Sequence, residues 1–311
     1  DNELDGQSTQ LNKRKERTLL LKEVKKIWIA QRADPYVIRH TDGIYYFTAS
    51  VPAYDRIVLR SAEKLEELAD AEEVTIWMKH ETGTMGNHIW APELHYIKGH
   101  WYIYFAAGDA EDKWHIRPYV LECTGQNPMT DAWVERGMMQ CAPEDEFSFR
   151  SFSLDATVFE NHGEYYYVWA EKVGVGKMIS YLYIASMESR VKLATVQVLL
   201  PTQGKIYLTY SASDTGVNYC MGMLTADENA DLLDPEQWSK KREPVLATCR
   251  EKGIFGPGHN SFTTDAEGNP VLVFHARTEE KIEGDPLYNP NRHAMLRHVI
   301  FGIDGEPRFF L

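Results

Sequence analysis

The chain has 311 residues, enough for one large domain or two ordinary ones, and all-β architectures often reach this length as a single unit. Its 46 acidic residues against 33 basic ones leave a net charge of -13, which sets nucleic acid aside as a partner because no dense basic face repays the repulsion. No apolar run approaches the ~18 residues of a membrane-crossing helix, so no membrane partner is expected and an uncharged ligand fits better.

Taken in chain order, residues 1–28 read as a polar leader followed by a short charged helix, LNKRKERTLLLKEVKKIW. The apolar cluster TLLL is too short and too basic in its flanks for a secretory signal. Cytoplasmic residence is therefore expected, or secretion if an export signal has been removed. The four cysteines, Cys123, Cys141, Cys220 and Cys249, lie far apart with no CxxC pair, which predicts reduced structural thiols rather than a zinc site or disulfide framework.

From residue 29 to 311 the texture is that of one domain of short strands between Gly, Asp, Asn and Pro turns. Five times a polar turn closed by glycine runs into an aromatic, β-branched strand: HTDGIYYFTAS, YIKGHWYIYFAAG, ENHGEYYYVWAE, PTQGKIYLTYSAS and DAEGNPVLVFHAR. The turn glycines, Gly43, Gly99, Gly163, Gly204 and Gly268, are spaced by 56, 64, 41 and 64 residues, and each interval is long enough for one four-stranded blade. The pattern predicts an all-β, five-bladed β-propeller, with the third-to-fourth interval short by roughly 20 residues. Helical signals are few, SAEKLEELADAEE and DENADLLDPEQW, and neither looks like half of a βαβ unit.

In a propeller the innermost strands line a central channel, so chemistry belongs near their ends, eight or nine residues before each hairpin glycine. That offset selects Asp34, Trp90 with Ala91, Asp155, and His259 with Asn260. Asp34 in ADPYVI and Asp155 in SLDATVF each read, taken alone, as turn aspartates before a strand. Pseudo-symmetry would bring both to one funnel, and paired carboxylates around a sugar-sized cavity are what glycoside hydrolysis requires. Trp90 in HIWAPELHYI is either core or a wall on which a sugar ring stacks. Glu93, in the same strand, is a weaker candidate, since a strand glutamate usually points to solvent. His259 in GPGHNSF is either a satisfied channel histidine or a ligand of an axial ion held partly through waters, calcium or sodium rather than zinc. Arg292 in LYNPNRHAM is a candidate substrate or carboxylate contact.

ADPYV, HIWAPELHY, SLDATVFE, TYSAS, NYCMGML and GIFGPGHNSF, in this order over residues 28–311, together resemble glycoside hydrolase family 43. The resemblance implies an inverting hydrolase of α-L-arabinofuranosides, or of β-D-xylosides, acting on oligo- or polysaccharides. It implies that Asp34 is the general base and that Asp155 orients the acid and raises its pKa. It also implies that Trp90 walls the sugar pocket, that His259 is the channel histidine associated with an ion, and that Arg292 is an active-site arginine. The family places its general acid, a glutamate in Glu-Gly-Pro, on the innermost strand of the fourth blade. Here KLATVQVLLPTQ precedes Gly204 and holds no carboxylate, in the interval that is also too short. Either the polypeptide carries a further stretch at this point or it lacks its acid, and would then be a crippled or purely sugar-binding propeller. Loss of an inner strand exposes unpaired edges in a closed architecture, which argues for the further stretch.

Overall fold

The computed structural model describes residues 27–172, 180–191, 199–202 and 204–311. The leader and charged helix expected before residue 27 lie outside these residues. The described chain is all-β: five antiparallel sheets follow one another along it, plus a two-stranded ribbon. The first sheet is β1 (Ala33–Arg39), β2 (Tyr45–Ser50), β3 (Arg56–Ala62) and β4 (Val74–Met78). The second is β5 (Asn87–Ile97), β6 (His100–Gly108), β7 (Arg117–Cys123) and β8 (Trp133–Met138). The third has β9 (Ser153–Asn161), β10 (Glu164–Lys172) and β11 (Ser180–Ser186). The fourth has β12 (Leu199–Thr202), β13 (Lys205–Ala212), β14 (Cys220–Asp227) and β15 (Ser239–Lys240). The fifth has β16 (Phe255–Thr264), β17 (Pro270–Arg277) and β18 (His293–His298), and β19 (Ile300–Phe301) pairs with β20 (Pro307–Arg308).

All five repeat glycines fall in the hairpin between the first and second strand of a sheet, and each has φ between 75° and 89°. An L side chain rarely adopts that conformation, so glycine marks each hairpin in the sequence. The sheets close on themselves through side-chain packing. Ile57 and Leu59 meet Ile103 and Leu121 between the first two sheets, and Tyr104 and Val120 meet Val158 and Trp169 at the next seam. Met221 and Met223 meet Phe274 and Met295 between the fourth and fifth, and Val37 and Phe47 meet Val271 and Val273 to complete the ring.

Fewer of the described residues are buried at the seam between the third and fourth sheets. Among the described residues only Val168 with Leu208, and Ile206 with Ala226 and Leu232, are buried there, beside partly buried Phe159, Ile184 and Trp238. This is the place of the short repeat interval. In the sequence 12 residues, 187–198, separate β11 from β12, and the place of the expected further stretch, with residues 192–198, lies outside the described residues. Among the described residues the third sheet has three strands, and β12 has 4 residues where the other first strands have 7 to 11. β12 pairs only with the Lys205–Tyr207 end of β13, so Leu208–Ala212 have no described neighbour on that side.

Two expectations about helices change. SAEKLEELADAEE folds into one 3-10 turn, Glu66–Ala69, because Leu65 and Leu68 are buried under β3 while the charged remainder is free to turn back. DENADLLDPEQW forms the 3-10 turn Pro235–Gln237, capped by the Asp234 carboxylate accepting from the Glu236 N–H. The packed body also begins before residue 29: the Trp28 ring sits edge-on to Phe47, and the Trp28 backbone N–H donates to the Ala294 carbonyl at 2.9 Å. No helix among the described residues is long and apolar enough to cross a membrane.

Candidate active site

The first strands of four sheets share a local distortion. Asp34, Ala91, Asp155 and His259 have φ of 52°, 47°, 55° and 44°, and each lies where its strand breaks register with the next. Each stands eight or nine residues before its hairpin glycine. A bulge re-aims one side chain off the pleat, and left-handed backbone in a non-glycine residue is strain that packing must hold in place. Asp34 and Ala91 precede Pro35 and Pro92, which disfavours the right-handed helical region for both. In the fourth sheet the same offset before Gly204 falls on Thr195 and Val196, outside the described residues.

Asp34 is the most tightly held of these groups. It is 8% exposed, and its Oδ2 accepts from Ser50 Oγ at 2.6 Å. Ser50 Oγ in turn accepts from the Ala91 N–H at 2.8 Å, tying the first two bulges together. Oδ1 faces His259 Nδ1 at 3.2 Å, His275 Nδ1 at 3.4 Å and Arg292 Nη1 at 3.8 Å. Burial opposes ionisation of Asp34, but His259 and Arg292 hold the carboxyl well below the usual carboxylate range. His275 pairs as a neutral ring: its Nδ1 accepts the Asp34 N–H at 3.0 Å, and burial and Arg292 push it down to about 4. Arg292 is buried and donates through Nη2 to the Tyr54 hydroxyl at 2.5 Å.

Asp155 is the contrasting carboxyl. It opens onto a recess shared with Glu93, Thr157, His259 and Asn260. The carboxyl is reachable from solvent, yet protein surrounds it; this burial, with the charges of Asp34 and Glu93, pushes it up to about 6 against the opposing pull of His259 and Arg292. For His259 burial works the other way, but the neighbouring carboxylates Asp34, Asp155 and Glu93 prevail and raise it. The fourth sheet reaches the recess through its second strand, with Leu208, Thr209, Tyr210 and Ser211 of β13. Ser211 Oγ accepts the His259 N–H at 2.7 Å, and Thr209 Oγ1 accepts from Asn260 Nδ2 at 2.9 Å.

Asp34, His259 and Arg292 are thus brought into direct contact, with Asp155 in their electrostatic field. Trp90 stands apart from the recess. It is 7% exposed, stacked on His88 at 4.3 Å and edge-on to Tyr54 and Trp114, and its Nε1 is buried without a hydrogen-bond partner. Trp114 and Tyr288, which contact the same His88, are the exposed aromatics of that cluster.

Glu93 reverses the expectation that it faces solvent. It is 7% exposed and lines the recess, where its Oε2 accepts from Thr157 Oγ1 at 2.5 Å and from His95 Nε2 at 2.8 Å. Sequence alternation misses it because the bulge at Ala91 shifts the strand's facing by one residue. Ser50, Tyr54 and His275 were also unmarked. Each lies in or just after the second strand of a sheet, where no offset rule applies, although SASVPAY and FHAR are polar interruptions of apolar strands.

As for an ion, the described residues hold no group of three His, Cys, Asp or Glu side chains at metal-binding spacing, and His259 Nδ1 faces Asp34. Calcium takes 6–8 oxygen ligands, so an ion at His259 would be held largely by water.

A ring of antiparallel sheets that sets one low and one raised carboxyl around His259 fits the paired-carboxyl chemistry of glycoside hydrolysis. The chain belongs to glycosyl hydrolases family 43, whose profile matches residues 26–307. It is 45% identical over 301 residues to the extracellular exo-α-(1→5)-L-arabinofuranosidase of Streptomyces avermitilis, covering 90% of this chain and 61% of that protein. It is 44% identical over 280 residues to the extracellular exo-α-(1→5)-L-arabinofuranosidase of Streptomyces chartreusis, covering 83% and 84% of the two. The crystal structure of α-L-arabinofuranosidase from Lactobacillus brevis superposes with a TM-score of 0.84 at 46% identity, over 91% of this chain and 95% of that one. The chain therefore spans less than two thirds of the Streptomyces avermitilis relative.

Proposed function

We propose that the five sheets are the blades of a five-bladed β-propeller and that the chain is an inverting, exo-acting glycoside hydrolase. It would release terminal α-L-arabinofuranosyl residues from arabinan- or arabinoxylan-type saccharides. The observation that carries this is Asp34: a buried carboxylate held ionised by His259 and Arg292 and fixed by Ser50, in contact with the His259 that lines a recess containing a second carboxyl. An ionised carboxylate so placed accepts the proton of the water that attacks the anomeric carbon, while Arg292 and His259 keep it from titrating. The names of the relatives supply the sugar, and the word extracellular in two of them supports export over the cytoplasmic expectation. Trp90 would serve as the rigid backing of the sugar pocket through Tyr54 and Arg292.

Asp34→Ala should lower turnover of an aryl α-L-arabinofuranoside by about 10²–10⁴-fold. Full retention would overturn the assignment of the base. Running the matching β-D-xyloside in parallel decides between the arabinofuranosidase reading and its β-xylosidase alternative. A second reading, a sugar-binding propeller without turnover, rests on the absence of any carboxylate in the segment before Gly204. Saccharide binding by calorimetry without product release would establish it.

A further inference from the structure

An inverting hydrolase needs a proton donor as well as a base, and the segment before Gly204 offers none. The other acidic groups near the axis are engaged elsewhere. Glu171 is fully buried and accepts the N–H groups of Phe149 and Ser151 and the Trp169 indole N–H, closing the loop that leads into β9. Glu122 faces outward, paired with Arg136 at 2.7 Å and with the Tyr102 hydroxyl. Glu93 is 7% exposed and holds Thr157 and His95 on one of its oxygens. Asp34 is clamped as an anion.

We propose that in this chain Asp155 itself donates the proton to the departing glycosidic oxygen. The inference rests on the inverting-hydrolase reading above. Three observations place it there. Asp155 occupies on β9 the same left-handed bulge that Asp34 occupies on β1, and His259, 3.2 Å from Asp34, lines the recess together with Asp155. Its carboxyl is exposed to the recess, whereas that of Asp34 is not. The recess at Asp155 is bordered by the β13 residues Leu208, Thr209, Tyr210 and Ser211. The groups facing Asp155 are Asp34 from β1, Glu93 from β5, His259 from β16, Arg292 from the loop before β18, and Tyr219 before β14. Their balance with burial leaves it protonated in part up to about pH 6, and two carboxyls whose surroundings drive their pKa values apart define an acid and a base.

The step balances. The glycosidic C–O bond breaks with its electron pair going to oxygen, which takes the Asp155 proton. Water adds to the anomeric carbon from the opposite face and gives its proton to Asp34. Asp155 is then reprotonated and Asp34 deprotonated by solvent.

The test compares methyl α-L-arabinofuranoside, whose alkoxide needs a proton to leave, with α-L-arabinofuranosyl fluoride, whose fluoride scarcely does. In Asp155→Asn the loss of kcat/KM on the methyl glycoside should exceed the loss on the fluoride by at least about 10²-fold. With the unaltered protein, the rate on the methyl glycoside should fall as pH rises through about 6 while the fluoride rate does not, a readout that needs no variant. Equal losses on both substrates overturn the proposal. Cleavage of the fluoride alone by the unaltered protein overturns it too, and leaves a hydrolase with a base and no acid. Failure to cleave even the fluoride removes the hydrolase reading itself.

Discussion

At the residue scale, the two channel aspartates should leave opposite marks on stability. Asp155 has its carboxyl raised from an ordinary 3.8 to about 6, so folding favours its neutral form. Its stabilising contribution is complete below the unfolded value and is lost as pH climbs through about 6. Asp155→Asn, which stays neutral, should therefore melt higher than the parent chain at pH 7.5 and at the same temperature at pH 4. Thermal melts at the two pH values check this, and a parent chain that is the more stable at pH 7.5 would contradict it. Asp34 runs the other way: its contribution is present above the ordinary carboxylate range and disappears as acid protonates it. Turn chemistry made Asp34 and Asp155 legible as polar residues before strands. Their unlike roles were not legible, because each depends on His259, His275, Arg292 and Glu93, which are remote in sequence.

At the element scale, the hairpins and the bulges divide the work. Gly99 turns β5 into β6 at φ 86°, with open space where a Cβ would stand, so Gly99→Ala costs only backbone strain, about 1–2 kcal/mol. Gly258, beside the His259 bulge, is different. A Cβ there would lie 2.6 Å from the Tyr219 ring, which stacks on His275 at 5.4 Å. Gly258→Ala should push Tyr219 and His275 against Asp34 and lose at least tenfold in activity, whereas Gly99→Ala loses stability alone. Urea unfolding and initial rates on the two variants separate the outcomes. The hairpin glycines were visible in sequence because their backbone demand is local. The bulges were visible only as an offset, and the extra residue in each hid the inward aim of Glu93.

At the scale of the whole molecule, the ring is uneven. Four seams bury 10 to 13 residues each, while the third-to-fourth seam buries two small groups of 2 and 3 among the described residues. Local opening follows buried apolar contact, so this seam should open first. Amide hydrogen exchange is expected to be fastest, among central strands, in β10 and β13, and slowest in β6 and β17. Equal protection across the ring would show that the residues between β11 and β12 restore the seam.

Period-two patterning, five hairpin glycines and their unequal spacing determined the all-β class, the order of the sheets and the place where the chain is short. These are properties of neighbours along the backbone, set by local dihedral preference and strand alternation. Tertiary structure decided what the patterns could not carry. Closure of the ring set Ser50, His275 and Arg292 around Asp34, and it buried Glu93 at the recess. It also gave two aspartates of identical intrinsic chemistry opposite acidities, because desolvation and charge act through space rather than along the chain.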